Sequence, residues 1–184
     1  MRRWLQGGLL PLPASFNSRL WPSAIWRGPR KKGRTLMIVG IVKESFPDEA
    51  RVAMVPTLVP QLAKAGNEVV IESGAGEAAG FLNYDYSAKG AKVVSGRAEV
   101  FQTADLVAQV RALGANPDAG KADLDLMKDG QAVVGVCEPL TEHDSNAALA
   151  AKGVTLFSME MMPRITRAQS MDVLSSMATI AGYK

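Results

Sequence analysis

The chain has 184 residues, of which 47% are hydrophobic and 21% charged, a composition typical of one globular domain with a short appendage. Its single cysteine excludes an internal disulfide, and one cysteine with one histidine cannot form a zinc site, so no metal is predicted. Eight of the 21 basic residues and none of the 18 acidic ones lie in residues 1–36, which leaves the remainder with a net charge of −5. A mildly acidic body behind a basic leader excludes nucleic acid as the expected partner.

Residues 1–36 form a leader that prolines and glycines interrupt repeatedly. The leader has no apolar run of the roughly 20 residues that cross a bilayer, and it lacks the pattern of a secretory signal. It is either an arginine-rich transit peptide or upstream sequence translated from a start assigned too early. The strand-like pattern that begins at Met37 favours the second interpretation. In both cases we expect residues 1–36 to be disordered and to carry no activity.

From Met37 onward, short apolar runs alternate with helical segments. The predicted strands are MIVGIVKE, EVVIES, AKVV, DLVAQVRA, QAVVGVC and VTLFSME. The predicted helices and helical turns are PTLVPQLAKAG, NYDYSAKG, AEVFQT, KADLDLMKDG and TEHDSNAALAAKG, the last with Thr141 as N-cap and Gly153 as stop. This alternation predicts an α/β fold of the doubly wound, Rossmann- or flavodoxin-like type, with a mostly parallel sheet and helices on both faces.

The segment ESGAGEAAG follows the second predicted strand and resembles a dinucleotide-binding loop at first sight. Its glycines, Gly74, Gly76 and Gly80, are spaced one residue too widely for that fingerprint, and no good helix follows them. We interpret the segment as a tight turn that requires positive φ and close approach of the backbone.

Two arginines are candidates for binding an anion at the carboxyl ends of the strands, where doubly wound sheets bind ligands. Arg51 lies in the loop after the first strand, and Arg111 ends the strand DLVAQVRA. The planar guanidinium suits a carboxylate or a phosphate. For Arg111 the alternative is simple exposure to solvent. For Arg51 the alternative is an ion pair with Glu44, Asp48 or Glu49 of its own loop. Composition alone favours this alternative.

Cys137 and His143 lie near each other in the chain after the strand QAVVGVC. A nucleophilic pair would require their side chains to converge, and nothing in their spacing requires it. We therefore expect Cys137 to lack an activating partner and His143 to be an exposed residue in the first turn of a helix.

The last segment, PRITRAQSMDVLSSMATIAGYK, is polar at its start and helix-forming throughout. Helical spacing places Gln169, Asp172 and Ser176 on one polar side, and Arg164 could reach back to Asp172. An arginine–aspartate pair with a nearby amide could position a ligand without acid–base chemistry. A salt bridge at the start of a helix explains the same residues equally well.

Four segments resemble the N-terminal domain shared by alanine dehydrogenase and the α subunit of proton-translocating NAD(P)+ transhydrogenase. They are VGIVKESFPDEARVAMVP, VVIESGAGEAAGF, ADLVAQVRA and MEMMPRITRAQSMDVLSSMATIAGYK. The resemblance implies that residues 37–166 form this domain and that residues 167–184 begin the crossover helix to a second, NAD-binding Rossmann domain. It also implies that NAD(H) binds in the cleft between the two domains and that the chain is truncated before the second one.

The resemblance assigns roles to residues of the last segment. In transhydrogenase this loop reaches over the nicotinamide ring, and its arginine, glutamine and aspartate correspond to Arg164, Gln169 and Asp172, with Ser175 close behind. These residues are the implied catalytic and cofactor-binding groups, which orient the ring of NAD(H) for hydride transfer to NADP(H) bound on a partner subunit. The transfer is coupled to proton translocation.

Alanine dehydrogenase is the competing enzyme within the resemblance. It uses an arginine, a lysine and a histidine around its keto-acid substrate. Arg51 matches the arginine, Arg111 stands at the position of the lysine, and Glu138 stands at that of the histidine. The missing proton-transfer group, together with the transhydrogenase form of PRITRAQSMDVLSS, favours transhydrogenase.

The resemblance also implies partners and a location. The partners are a second copy in a homodimer and the membrane-embedded and NADP-binding subunits, without direct insertion of this chain into the membrane. The location is cytoplasmic and peripheral to the inner or plasma membrane, or on the matrix side of mitochondria if residues 1–36 are a transit peptide. Without the NAD-binding domain we expect the isolated chain to lack full activity, and a non-catalytic fragment is the remaining alternative.

Overall fold

The computed structural model describes residues 37–183. The expectations for residues 1–36 lie outside the described residues. No helix between residues 37 and 183 has both the length and the apolar character needed to cross a membrane.

Six short strands form one sheet in the described chain, and all of their pairings are parallel. Their order across the sheet is β3-β2-β1-β4-β5-β6. The bounds are β1 Ile38–Ile41, β2 Glu68–Glu72, β3 Lys92–Val94, β4 Leu106–Arg111, β5 Ala132–Val136 and β6 Thr155–Ser158. Each strand lies within a predicted run, because buried parallel strands are continuously apolar. The order reverses between β1 and β4, so the loops that follow these strands diverge and open a crevice at the carboxyl edge.

Six α-helices accompany the strands in the described residues. They are α1 Val59–Lys64, α2 Asn83–Ser87, α3 Arg97–Thr103, α4 Gly120–Leu126, α5 His143–Ala151 and α6 Val173–Tyr183. Short 3-10 helices occupy Pro56–Leu58, Glu77–Ala79, Leu113–Ala115, Met159–Met161 and Thr166–Met171. The helices α1 to α5 lie in the crossover connections that successive parallel strands require.

The predicted cap of α5 is wrong. The helix begins at His143 with Glu142 at the N-cap position, and no side chain caps it. Thr141 lies in a turn closed by the carbonyl of Glu138, which accepts from the backbone N–H groups of Thr141 and Glu142. The Thr141 hydroxyl donates to the same carbonyl at 3.3 Å and so does not cap the helix. The predicted stop at Gly153 is correct, since this residue has φ +76° directly after the helix.

The sheet is covered by apolar side chains on both faces, which confirms the doubly wound fold class. One cluster combines Val107 and Val133 of the sheet with Val100 and Phe101 of α3 and Leu149 of α5. The other combines Ile41 and Ile71 of the sheet with Val59 of α1 and Tyr86 of α2. Alternate residues of each strand point to opposite faces, so the strands β1 to β5 contribute to both clusters, whereas β6 contributes Leu156 to the first one.

The glycine-rich segment after β2 is a structural turn. Gly74 and Gly80 have φ values of +76° and +83°, as predicted. Gly76 has an ordinary negative φ, and glycine is needed there for space, because a Cβ would lie 2.7 Å from the Tyr86 ring and 2.8 Å from the Phe81 carbonyl oxygen. The segment therefore shapes the β2–α2 connection by conformation at two glycines and by close packing at the third.

Candidate functional site

The loop after β1 is fastened to the end of β4 by a carboxylate. Glu44 accepts hydrogen bonds from the backbone N–H of Val110 at 2.6 Å and from that of Arg111 at 3.1 Å. Burial raises the pKa of Glu44, and these two hydrogen bonds offset only part of that effect. The loop that carries Arg51 is thereby held against the strand that ends in Arg111.

Arg51 and Arg111 meet at a shared acid. The side chain of Glu49, only 6% exposed, accepts from Nε and Nη2 of Arg51 at 2.7 and 2.6 Å and from Nε of Arg111 at 3.1 Å. The hydrogen bond from Arg51 lowers the pKa of Glu49 to about 2, although burial acts against it. The ion pair expected as the alternative for Arg51 is therefore present.

Arg111 has more partners than simple exposure to solvent would give it. Its guanidinium lies 4.1 Å from the centre of the Phe46 ring, in addition to its ion pair with Glu49. Binding of an external anion by Arg51 or Arg111 stays a prediction, and such an anion would compete with Glu49 for both guanidinium groups.

A second polar cluster was missed by the sequence reasoning. Arg97, at the start of α3, forms a two-pronged ion pair with the buried Asp123 of α4 at 2.5 and 2.7 Å. It also donates to the Lys43 carbonyl at 2.5 Å, while Glu72 accepts from the Lys43 N–H at 2.8 Å. The amide of Gln109 completes the cluster with a bond to Asp123 at 2.9 Å. A glutamine inside the apolar strand DLVAQVRA was the one available signal, because a buried amide requires polar partners.

The residues that the resemblance assigns to nicotinamide lie in three different settings. Gln169 belongs to the 3-10 helix Thr166–Met171, and its side chain is exposed. Asp172 follows that helix and accepts two hydrogen bonds from Ser175, at the start of α6. Arg164 precedes the segment and is also exposed.

Two expectations about this segment are wrong. The α-helix begins only at Val173, so Gln169 does not share a helix with Asp172 and Ser176. No ion pair joins Arg164 to Asp172 within the described residues. The Asp172 carboxylate instead turns toward the N-terminus of α6, where unpaired backbone N–H groups attract it. The pKa of Asp172 is lowered mainly by Ser175, and the charge of Arg164 adds a smaller effect.

A cavity of about 400 Å³ lies between the ends of β4 and β5 and the last segment. Its lining is mostly apolar, and the polar groups in it come from both sides of the crevice. The residues most relevant to the site are Arg51, Gln109, Val136, Met159, Asp172 and Met177. The structure thus brings Arg51 and Asp172 to one cavity, whereas Arg111, Arg164, Gln169 and Ser175 are not in its lining. Nη1 of Arg51 contacts the sulfur of Met177 at 2.9 Å across this space.

Cys137 and His143 do not form a nucleophilic pair. The Cys137 side chain is fully buried, and burial, with the charges of Glu160 and Glu138, raises the pKa of its thiol to about 12. A thiol with such a pKa carries almost no thiolate at neutral pH. His143 is exposed at the first position of α5, as the sequence predicted.

Known proteins match this chain over most of the residues that the structure describes. The family model for the alanine dehydrogenase/PNT N-terminal domain matches residues 40–181. The NAD(P) transhydrogenase subunit alpha of Cereibacter sphaeroides is 42% identical over 148 residues, covering 80% of this chain and 27% of that protein. The alanine dehydrogenase of Methanococcus maripaludis is 32% identical over 146 residues, covering 79% of this chain and 37% of that protein.

Solved structures of transhydrogenase and alanine dehydrogenase also match the chain. The crystal structure of transhydrogenase from Sinorhizobium meliloti matches with a TM-score of 0.72 and 42% identity, over 79% of this chain and 42% of that one. An L-alanine dehydrogenase matches with a TM-score of 0.70 and 29% identity, over 79% of this chain and 38% of that one. The chain therefore spans 27% to 42% of the length of these four proteins.

Proposed function

The chain belongs to the alanine dehydrogenase/PNT N-terminal domain family, and from this premise we propose that it is part of the NAD(H)-binding α subunit of an NAD(P)+ transhydrogenase. The observation that carries the proposal is the segment PRITRAQSMDVLSS, which lies across the carboxyl edge of the parallel sheet beside the cavity. Ligands of doubly wound folds bind at this edge. The higher identity to transhydrogenase, 42% against 32% for alanine dehydrogenase, supports the same choice.

The residues of the segment fit a nicotinamide ring. A cavity of about 400 Å³ with mostly apolar walls has room for a flat ring, and Asp172 supplies a polar group at its rim. The side-chain amide of Gln169 is exposed and forms no hydrogen bond within residues 37–183, so it is free to pair with the carboxamide of the ring. When bound, NADH supplies a hydride from C4 of its ring to NADP+, which gives NAD+ and NADPH.

The work of this chain is to hold that ring in one orientation. Gln169 would bind the carboxamide, and the capped start of α6 would keep Asp172 and Ser175 at a fixed place on the rim. Arg164 adds a positive charge ahead of them that favours the phosphates of a dinucleotide. Orientation of this kind accounts for much of the rate when the cofactor brings its own chemistry.

Alanine dehydrogenase is the second candidate, and the pair of arginines at the crevice is the observation that favours it. Arg51 and Arg111 could bind the carboxylate of a keto acid. Both are already paired with Glu49, and Glu138 at the end of β5 is a carboxylate where a proton-transferring histidine is needed. These two features make alanine oxidation the weaker proposal.

Assembly and location follow from the proposed function. The chain would form a homodimer and would associate with a membrane-embedded subunit and an NADP-binding subunit, which couple hydride transfer to proton translocation. It would lie on the cytoplasmic side, peripheral to the membrane through those partners, or on the matrix side in mitochondria.

Because the chain spans only 27% of the Cereibacter sphaeroides subunit, we propose that it lacks full activity alone and binds NADH weakly. A fluorescence titration that gave micromolar affinity would contradict this.

A chimera tests the function directly. Residues 37–184 replace the matching segment of the Cereibacter sphaeroides α subunit, which is produced with its partner subunits. We expect NADH-dependent reduction of NADP+ and no pyruvate from alanine and NAD+. The control chimera carries the matching segment of the Methanococcus maripaludis alanine dehydrogenase and should not support transhydrogenation. Pyruvate formation without transhydrogenation by the first chimera would overturn the proposal.

A further inference from the structure

The carboxylate of Glu160 binds two successive backbone N–H groups at the end of β5. Its Oε1 accepts from the N–H of Cys137 at 2.6 Å and from that of Glu138 at 2.7 Å. Its Oε2 accepts from the Ser158 hydroxyl at 2.5 Å. A single side chain therefore links the end of β5 to the short 3-10 helix that follows β6.

The two N–H groups form an anion site of the main chain. Both N–H groups face the same side, since they share Oε1 of Glu160 as acceptor, and Glu138 has φ +47°, an uncommon value for a residue other than glycine. Successive N–H groups in such a turn make a concavity that binds anions. The Cys137 carbonyl packs so closely against Gly114 that no Cβ could be accommodated there.

Glu160 is charged in this setting. Burial acts to raise its pKa, but hydrogen bonds from Ser158 and from the N–H groups of Glu160, Glu138 and Cys137 outweigh burial and hold the pKa below its ordinary value. The bonds to Cys137 and Glu138 are therefore charge-assisted at neutral pH, which makes them about twice as strong as neutral ones.

Few other contacts hold the segment that follows. We call residues 163–172 the loop segment. Within it only Ala168 is buried, at 3% exposure, whereas Arg164 and Gln169 are exposed. The loop segment begins shortly after Glu160, and Met159, the neighbour of Glu160, lines the same cavity as Asp172.

We propose that Glu160 is a positioning residue, whose carboxylate fills the anion site of Cys137 and Glu138 and thereby holds the loop segment over the strand ends. The purpose of this placement, orienting a nicotinamide ring, rests on the proposed function. The anchoring itself does not, since it depends only on contacts within this chain.

Hydrogen–deuterium exchange on the full 184-residue chain tests the anchoring. Glu160→Ala should speed exchange at Cys137, Glu138 and the loop segment by about 10-fold or more, because charge-assisted bonds to two amides are lost. Glu160→Gln should lie between wild type and Glu160→Ala, since its carbonyl oxygen can accept from both N–H groups but carries no charge. Glu99→Ala, an exposed acid on α3, is the matched control and should change nothing at these sites.

Excess acetate separates anchoring from a general loss of stability. In Glu160→Ala the anion site is open to a small carboxylate, so acetate should restore slow exchange at Cys137 and Glu138. Exchange in the loop segment should stay fast, because free acetate is not bonded to that segment, and acetate should have no effect on wild type or Glu160→Gln. Unchanged exchange in Glu160→Ala would overturn the proposal, as would slow exchange of the loop segment once acetate is added. If Glu160→Ala shows the expected exchange but the chimera without substitutions transfers no hydride, the proposed function would be wrong and the anchoring by Glu160 would still hold.

Discussion

The carboxylate of Asp172 accepts the backbone N–H of Ser175 at 3.0 Å and its hydroxyl at 2.6 Å. Asp172 directly precedes α6, and Ser175 is the third residue of that helix. This is the geometry of an N-cap, in which a side-chain oxygen replaces a missing backbone acceptor. Two of the residues implied in cofactor binding therefore also define where α6 begins.

Asp172→Asn separates the two roles of Asp172, because asparagine caps a helix as well as aspartate does. In the chimera we expect Asp172→Asn to slow hydride transfer about 100-fold while nucleotide affinity changes little, since orientation and not binding is lost. Gln169→Asn should behave in the same way, because the shorter side chain moves its amide away from the ring. Stopped-flow rates with a parallel NADH titration measure both quantities.

Asp172→Ala is the companion variant and should also reduce helicity of the last segment by circular dichroism. Turnover that is unchanged in both Asp172→Asn and Gln169→Asn would show that the loop segment does not orient the ring.

The stability of the protein should fall in acid through Glu49. Its pKa in the folded protein is about 2, below the ordinary 4.5, so its stabilising effect is complete above about pH 4.5 and is lost as the pH falls toward 2. Glu49→Gln should therefore flatten the dependence of Tm on pH in this window. Asp48→Asn, at an exposed neighbour with φ +59°, keeps Glu49 and should retain the acid-induced loss. Identical profiles for the two variants would contradict the assignment.

Arg97 and Arg51 should differ strongly in their contribution to stability. Arg97→Ala leaves the carboxylate of Asp123, 4% exposed, without its cation, and we expect a loss of about 3–5 kcal/mol. Arg51 is 47% exposed, so Arg51→Ala should cost at most about 1 kcal/mol. Urea unfolding of both variants measures the difference. Arg97→Lys should lie between wild type and Arg97→Ala, because an ammonium group cannot form the two-pronged pair. Equal losses for Arg97→Ala and Arg51→Ala would disprove a special role of the buried pair.

The glycine-rich turn should respond to size at one glycine and to conformation at another. Gly76→Ala forces a Cβ against Tyr86 and the Phe81 carbonyl and should cost about 1–3 kcal/mol. Gly80 has open space around it and φ +83°, a conformation that asparagine tolerates. Gly80→Asn should therefore be much milder than Gly76→Asn in thermal unfolding. The reverse order would mean that the packing at Gly76 is not what the turn requires.

The strands and the fold class were predictable because their signals are local. Val107 and Val133 lie in continuous apolar runs that only a buried parallel strand explains, and the right-handed connection then leaves few ways to arrange such strands. Gly153 was predictable as the end of α5 for the same reason, since a positive φ after a helix selects glycine.

The partners of the site residues were not predictable to the same degree. Arg51 was correctly expected to pair within its loop, but Arg111 was not expected to share Glu49 with it. Asp172 was expected to face Arg164 and faces the start of α6 instead. In each case several partners of suitable charge lie within reach of one side chain along the chain, and the choice depends on where the fold places the loops and the helix ends.

By itself, then, the sequence determined the strands, the helices, the parallel α/β class and the family resemblance, because apolar periodicity and motif spacing act over a few residues. Only the tertiary structure decided that Arg97 pairs with Asp123, that Glu44 binds the end of β4 and that Glu160 fills the anion site after β5. Each of these contacts joins segments that are distant in the chain and adjacent at the carboxyl edge of the sheet. Such contacts depend on strand order and on the path of each loop, which no local pattern encodes.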